Sequence, residues 1–124
     1  MLVISSESLD TLSRTQATGA RIRLCRWLVT NAPQFGLLAP APNQAEQAVD
    51  AAFGLCLPNG IRREGDIARI ALRAWRFGPA ILDQPEYDYL RKALAADTVH
   101  PDRRVMLVKL IEIGHKPGTG PWYV

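Results

Sequence analysis

Proline and glycine act as punctuation in this chain, and that pattern leaves few folds open. "NAPQFGLLAPAP" (31–42), "LPNG" (57–60), "FGPAILDQP" (77–85) and "VHP" (99–101) interrupt it. Between them, apolar residues recur three and four positions apart, the spacing of one helix face. Between Ser6 and Leu28 they fall at Leu9, Leu12, Ala20, Leu24, Trp27 and Leu28. Ser5 or Ser6 suits the start of that helix, because a serine hydroxyl accepts a bond from an orphaned backbone N–H. Glu7 suits the positive end of its dipole. Thr18-Gly19 predicts a kink, since glycine weakens a helix interior. The helix should end by Asn31, because Pro33 disfavours helical backbone at Ala32.

The run 33–42 reads as a loop with no regular element, its Phe35, Leu37 and Leu38 packed on the body. A second helix is predicted from an Asn43 cap, with Ala45, Val49, Ala52, Phe53 and Cys56 on one stripe. Asn59 or Gly60 should end it in left-handed backbone. The third helix carries two stripes: apolar Ile67, Ile70, Ala71, Ala74 and Phe77, and charged Arg62, Asp66, Arg69, Arg73 and Arg76. Gly78 and Pro79 close it. A connector over 79–85 leads to a fourth helix from Pro85 to Ala96, with Leu90, Ala93 and Leu94 inward. The fifth begins at Pro101-Asp102 and ends at Gly114. Its "VMLVKLIEI" also has the composition of a strand, but a single strand after four helices would lack a partner. The expectation is an all-α fold: a single compact domain of about five helices over 1–114, with an extended tail "HKPGTGPWYV" over 115–124.

A chain of 124 residues, 48% of them hydrophobic, suits one domain. It can bury roughly two-thirds of its unfolded surface, enough for a core without metal or disulfide. Cys25 and Cys56 both sit in apolar helical patterns, where a free cysteine acts as a small hydrophobe. A disulfide between them is not implied, and a reducing cytoplasm is the simpler setting. The start "MLVISSESLD" has no basic n-region, and no apolar run reaches the roughly 18 residues of a membrane span. A cytoplasmic protein with no membrane partner is the expectation.

The formal net charge is +3, from 15 basic and 12 acidic residues. That is mild for a nucleic-acid binder, whose cations must neutralise several phosphates. Catalytic signals are absent. His100 and His115 stand at helix ends without metal-ligand spacing, so His100 reads as a cap or surface residue. Glu64/Asp66 and Glu86/Asp88 fall where helix dipoles stabilise acids. The serines form no nucleophile elbow, and "GTG" lacks the strand–loop–helix setting of a phosphate loop. No catalytic residue, metal ligand or cofactor is expected.

The candidate binding residues are therefore Arg62, Arg69, Arg73 and Arg76, with Trp75 beside them. The row is either a solvated face, with Asp66 pairing Arg69, or a docking face for an acidic partner. Trp75 is either core or a partly exposed anchor. Trp122 and Tyr123, on the tail, are candidate anchors for a partner.

Motif order adds a resemblance. "MLVISSESLDTL", Gly60-Ile61 before Glu64 and Asp66, Phe77-Gly78 before Asp83, Leu94-Ala95 with Asp97, and a last helix over Pro101–Leu110 follow one another. This series resembles a family of small helical proteins encoded in type VI secretion clusters, beside a spike protein or effector and the effector's adaptor-chaperone. Arg63 stands where that family has a capping Ser or Thr. The resemblance implies an accessory role: a cytoplasmic co-chaperone or adaptor subunit that binds an effector, or its adaptor-chaperone, before loading on the spike. It implies a protein partner and no catalytic residues. The alternatives are a small nucleic-acid-binding regulator using the arginine row, and an immunity protein that neutralises a toxin.

Overall fold

The computed structural model describes the backbone of residues 6–115 and the side chains of residues 18–114. Five α-helices run in order: α1 (Ser6–Asn31), α2 (Pro42–Cys56), α3 (Glu64–Phe77), α4 (Asp88–Leu94) and α5 (Pro101–His115). No strand occurs among the described residues. The fold is all-α, as the periodicity predicts. The serine cap, Leu9, Leu12, Trp122 and Tyr123 belong to expectations outside the described side chains.

Helices α2 and α3 form the most extensive pair, and α1 packs across both. Leu24 and Leu28 of α1, Val49 and Ala52 of α2, and Ile67, Ile70 and Ala71 of α3 are buried together. Each set repeats at three or four residues, so each helix turns one stripe to the shared core. Helix α4 packs mainly on α5, and Leu90, Leu94, Val105 and Val108 extend the core between them.

Helix α5 runs parallel to α3. Arg63 faces Asp102 at 3.9 Å, and ten residues further along both helices Arg73 faces Glu112 at 2.6 Å. Two arginines bind turns to this frame. Arg104 donates to the carbonyls of Val99, Asn59 and Leu94 at 2.8, 2.7 and 3.2 Å. Arg91 donates to those of Ile81 and Gln84 at 2.8 and 2.7 Å. A guanidinium fork can serve two or three acceptors at once, which an ammonium does less well.

Several boundaries differ from the sequence reading. Helix α1 passes through Thr18-Gly19 without a break. The 33–42 run is not wholly irregular, because Ala32–Phe35 forms a 3-10 turn ended by Gly36 at φ 77°. Phe35 packs against Trp27, but Leu38 is 85% exposed rather than packed. Helix α2 starts at Pro42, not after an Asn43 cap. Proline's fixed φ suits the first helical position, and Gln44 Oε1 accepts the Ala41 N–H at 2.9 Å.

The connector after α3 is itself a 3-10 turn, Gly78–Leu82, with Ile81 buried. The predicted fourth helix is shorter. Pro85–Tyr87 is a 3-10 turn, and α4 covers only Asp88–Leu94. Tyr87 leaves helical geometry (φ −108°, ψ 13°) and stacks on Phe77 at 4.5 Å between ring centroids.

Candidate protein-binding groove

Along α2, Ala48 and Ala51 face α3; along α3, Ala74 faces back. These side chains stop at Cβ, so two packed helices leave a hollow between them. Gly78, past the end of α3, adds no side chain. Its backbone (φ 72°, ψ −164°) lies in a region that is essentially reserved for glycine. The result is an open groove of about 440 Å³. Trp75, Pro79 and Leu82 form its apolar walls, and Gln44 and Gln47 stand on its polar rim.

Trp75 is half-buried, with its indole Nε1 donating to the Leu38 carbonyl at 2.7 Å. That bond fixes the ring and ties the 32–41 segment to α3. Leu82 is 48% exposed beside the groove. An apolar trough with a few amide groups on its rim suits a protein segment that brings apolar side chains and backbone polar groups. Trp75 stands out in the sequence as a candidate anchor, but the groove does not. Its trace in the sequence is Ala48, Ala51 and Ala74, small residues at the meeting point of two helices.

The arginine row does not form one face. Arg62, Arg69 and Arg76 are exposed, but Arg73 has no solvent exposure at all. Its guanidinium engages both carboxylate oxygens of buried Glu112, through Nε at 3.0 Å and Nη2 at 2.6 Å. Nη1 donates to the Arg69 carbonyl at 2.9 Å. The placement of Arg73 on a partner-facing surface is therefore corrected. Spacing at three and four gives a stripe, but it cannot show that a later helix lies against one edge of that stripe. Arg69 pairs with Asp66 at 3.4 Å, as the i,i+3 spacing predicts. Trp75 projects about 100–120° around the helix from Arg69 and Arg76, so it is not set among them.

Tyr89 donates its hydroxyl to Glu112 at 3.0 Å. Burial first, then the Glu112 charge, push the Tyr89 phenol far up from its ordinary value, so it stays protonated and donates. Glu112 was not singled out in the sequence, because "VMLVKLIEI" reads as apolar core. A lone acid inside such a run is the signal that points to a buried cation partner.

A second, smaller hollow of about 150 Å³ lies between α3 and α5, lined by Arg63, Asp66, Arg69, Asp102, Val105, Met106 and Lys109. Asp66 is only 4% exposed, and its Oδ2 has no hydrogen-bond partner among the described residues. Arg63 Nε lies 3.5 Å from it. Burial raises the Asp66 carboxyl pKa, against the opposing pull of Arg63 and Arg69.

Glu64 forks with Arg23 of α1, which holds its carboxyl below the usual carboxylate range. His100 is exposed, and its Nδ1 accepts the Asp102 N–H at 3.1 Å, a helix cap. Cys25 and Cys56 are free thiols. Among the described residues, no three His, Cys, Asp or Glu side chains come together as a metal site. No helix among them is long and apolar enough to cross a membrane.

No protein-family model matches this chain, and no curated protein or solved structure does.

Proposed function

We propose that this protein is a non-catalytic binding subunit whose α2–α3 groove holds an apolar segment of a protein partner. The observation that carries this reading is the open, alanine-floored trough walled by Trp75, Pro79 and Leu82. Anchoring energy at protein interfaces concentrates in apolar side chains that fill such hollows. Gln44 and Gln47 supply the polar rim that would orient the partner's backbone.

The motif series of the sequence supports a particular setting for that partner: a type VI secretion effector, or its adaptor-chaperone, held in the cytoplasm before loading on the spike. The exposed Arg62, just before α3, and Arg76, in its last turn, would add charge attraction at the margin of the contact. The nucleic-acid alternative loses weight, because Arg73 is interior and Arg69 is already paired with Asp66.

Co-expression with the products of neighbouring genes, followed by co-purification, tests the proposal. A stable complex with one of them is expected. Failure to retain any of them, with the protein folded, would contradict it.

A further inference from the structure

Helix α5 buries Val105 and Val108 against the body. On its opposite side Met106, Leu110 and Ile113 are 54%, 58% and 41% exposed, spaced four and three apart in one stripe. The stripe is about 10 Å long at the rise of an α-helix. A surface helix normally carries polar residues there, and a contiguous exposed apolar stripe marks a contact. Its borders are cationic. By helical geometry Arg103 sits about 20° around the helix from Leu110 on one side, and Lys109 about 40° from Ile113 on the other. Among the described residues neither Arg103 nor Lys109 makes an ion pair. The two acids of α5 are engaged with α3 instead: Asp102 faces Arg63 at 3.9 Å, and Glu112 holds Arg73 at 2.6 Å. The charges left over beside the stripe are therefore positive.

We infer that the outer face of α5 is a second docking surface, and that its occupant is an acidic amphipathic helix of a protein partner. Charge complementarity selects that occupant. Acidic side chains flanking an apolar ridge meet Arg103 and Lys109 on either border, which steers encounter and fixes register. Apolar side chains repeating at three and four on one helix interdigitate with the same repeat on another. Met106 adapts to such a ridge, because its unbranched thioether fills irregular gaps. A second copy of this chain is disfavoured, since it would set cations against cations. A bilayer surface is disfavoured by shape. Beside the stripe, Met106 and Lys109 also line the hollow of about 150 Å³ between α3 and α5, which a side chain can enter and a flat surface cannot fill. This face shares no lining residue with the α2–α3 groove and does not depend on that site.

The chain has two methionines, so the Met106 methyl group is easily observed by NMR after selective isotope labelling. The probe is a synthetic helical peptide with leucines at three-and-four spacing and glutamates elsewhere, titrated into the full chain. It should shift the Met106 methyl and the Leu110 and Ile113 amides while the Trp75 indole signal stays in place. The same peptide with lysine for glutamate should leave all of them unmoved. Leu110→Asp, at an exposed position, should weaken binding at least about tenfold with helicity retained. Arg103→Ser with Lys109→Ser should weaken it roughly three- to tenfold, as two exposed charge pairs do. No shift with the acidic peptide, or an equal shift with the lysine peptide, would overturn the inference. A shift at Trp75 without one at Met106 would place the peptide in the groove and overturn it as well. Vesicles of mixed phosphatidylserine and phosphatidylcholine form the last arm. If they move the Met106 methyl and the acidic peptide does not, the face is a membrane contact and the protein partner is refuted.

Discussion

Arg73 on α3 and Glu112 on α5 form an ion pair at 2.6 Å, with side-chain exposures of 0% and 3%. This pair is the main polar link that aligns α5 along α3. Its two-point geometry and the Tyr89 hydroxyl satisfy the carboxylate, as a buried charge requires.

Removing one partner leaves the other charged and buried. Arg73→Ala should cost about 3–5 kcal/mol of folding stability. The combined change Arg73→Met, Glu112→Leu and Tyr89→Phe removes every polar group of the network and should recover most of that loss. Urea unfolding of the variants checks both expectations. A small loss in Arg73→Ala would mean that the pair is not buried as described.

Gly78 gives a test of backbone conformation separate from packing. A Cβ added there meets nothing within 4 Å, so space is not the obstacle. The positive φ of 72° is. Gly78→Ala should destabilise the fold by about 1–3 kcal/mol. Thermal unfolding reads this directly, and an unchanged midpoint would refute the assigned conformation.

The two thiols should behave differently. Burial pushes the Cys56 thiol up to about 12. Cys25 is also raised by burial, but it remains half-exposed. Since the thiolate is the reacting form, a raised value slows labelling. At pH 8 a thiol reagent should modify Cys25 alone in the folded protein, and both cysteines after unfolding. Equal labelling rates in the folded state would contradict the burial of Cys56.

Asp66 sets a pH dependence with a definite sign. Its folded pKa is raised above the unfolded value, so the folded state holds the proton more readily. Its contribution to stability is present below the unfolded pKa and is lost as pH rises through the folded one. Asp66→Asn removes this contribution. The variant should therefore compare best with the parent at pH 7, and its relative stability should fall as pH drops towards 4. Urea unfolding at both pH values measures the difference. A relative stability that rises on acidification would reverse the assignment.

The elements that the sequence made legible are those set by local rules. Apolar spacing marked all five helices, Gly60 and Gly78 marked two helix ends, and Asp66–Arg69 followed from i,i+3 geometry. What depends on distant parts of the chain was not legible. Arg73 looks like Arg69 and Arg76 until α5 brings Glu112 to it, 39 positions away. The groove likewise needs Ala48 and Ala51 to meet Ala74 across two helices. Tyr87 departs from the predicted fourth helix because it stacks on Phe77, which local propensity does not encode.

The central claim is that the groove, rather than the arginine row, holds a protein partner. The most direct measurement is partner affinity, by calorimetry on a co-purified neighbouring gene product, for three folded forms: the parent, Ala51→Glu with Leu82→Asp, and Arg62→Ser with Arg69→Ser. The groove changes place two carboxylates in an apolar trough and should weaken binding by at least about 100-fold, or roughly 3 kcal/mol. The arginine changes should weaken it by less than about tenfold, because Arg62 is an exposed charge at the margin and Arg69 is already paired with Asp66. Full affinity in the groove variant, with loss in the arginine variant, would contradict the account.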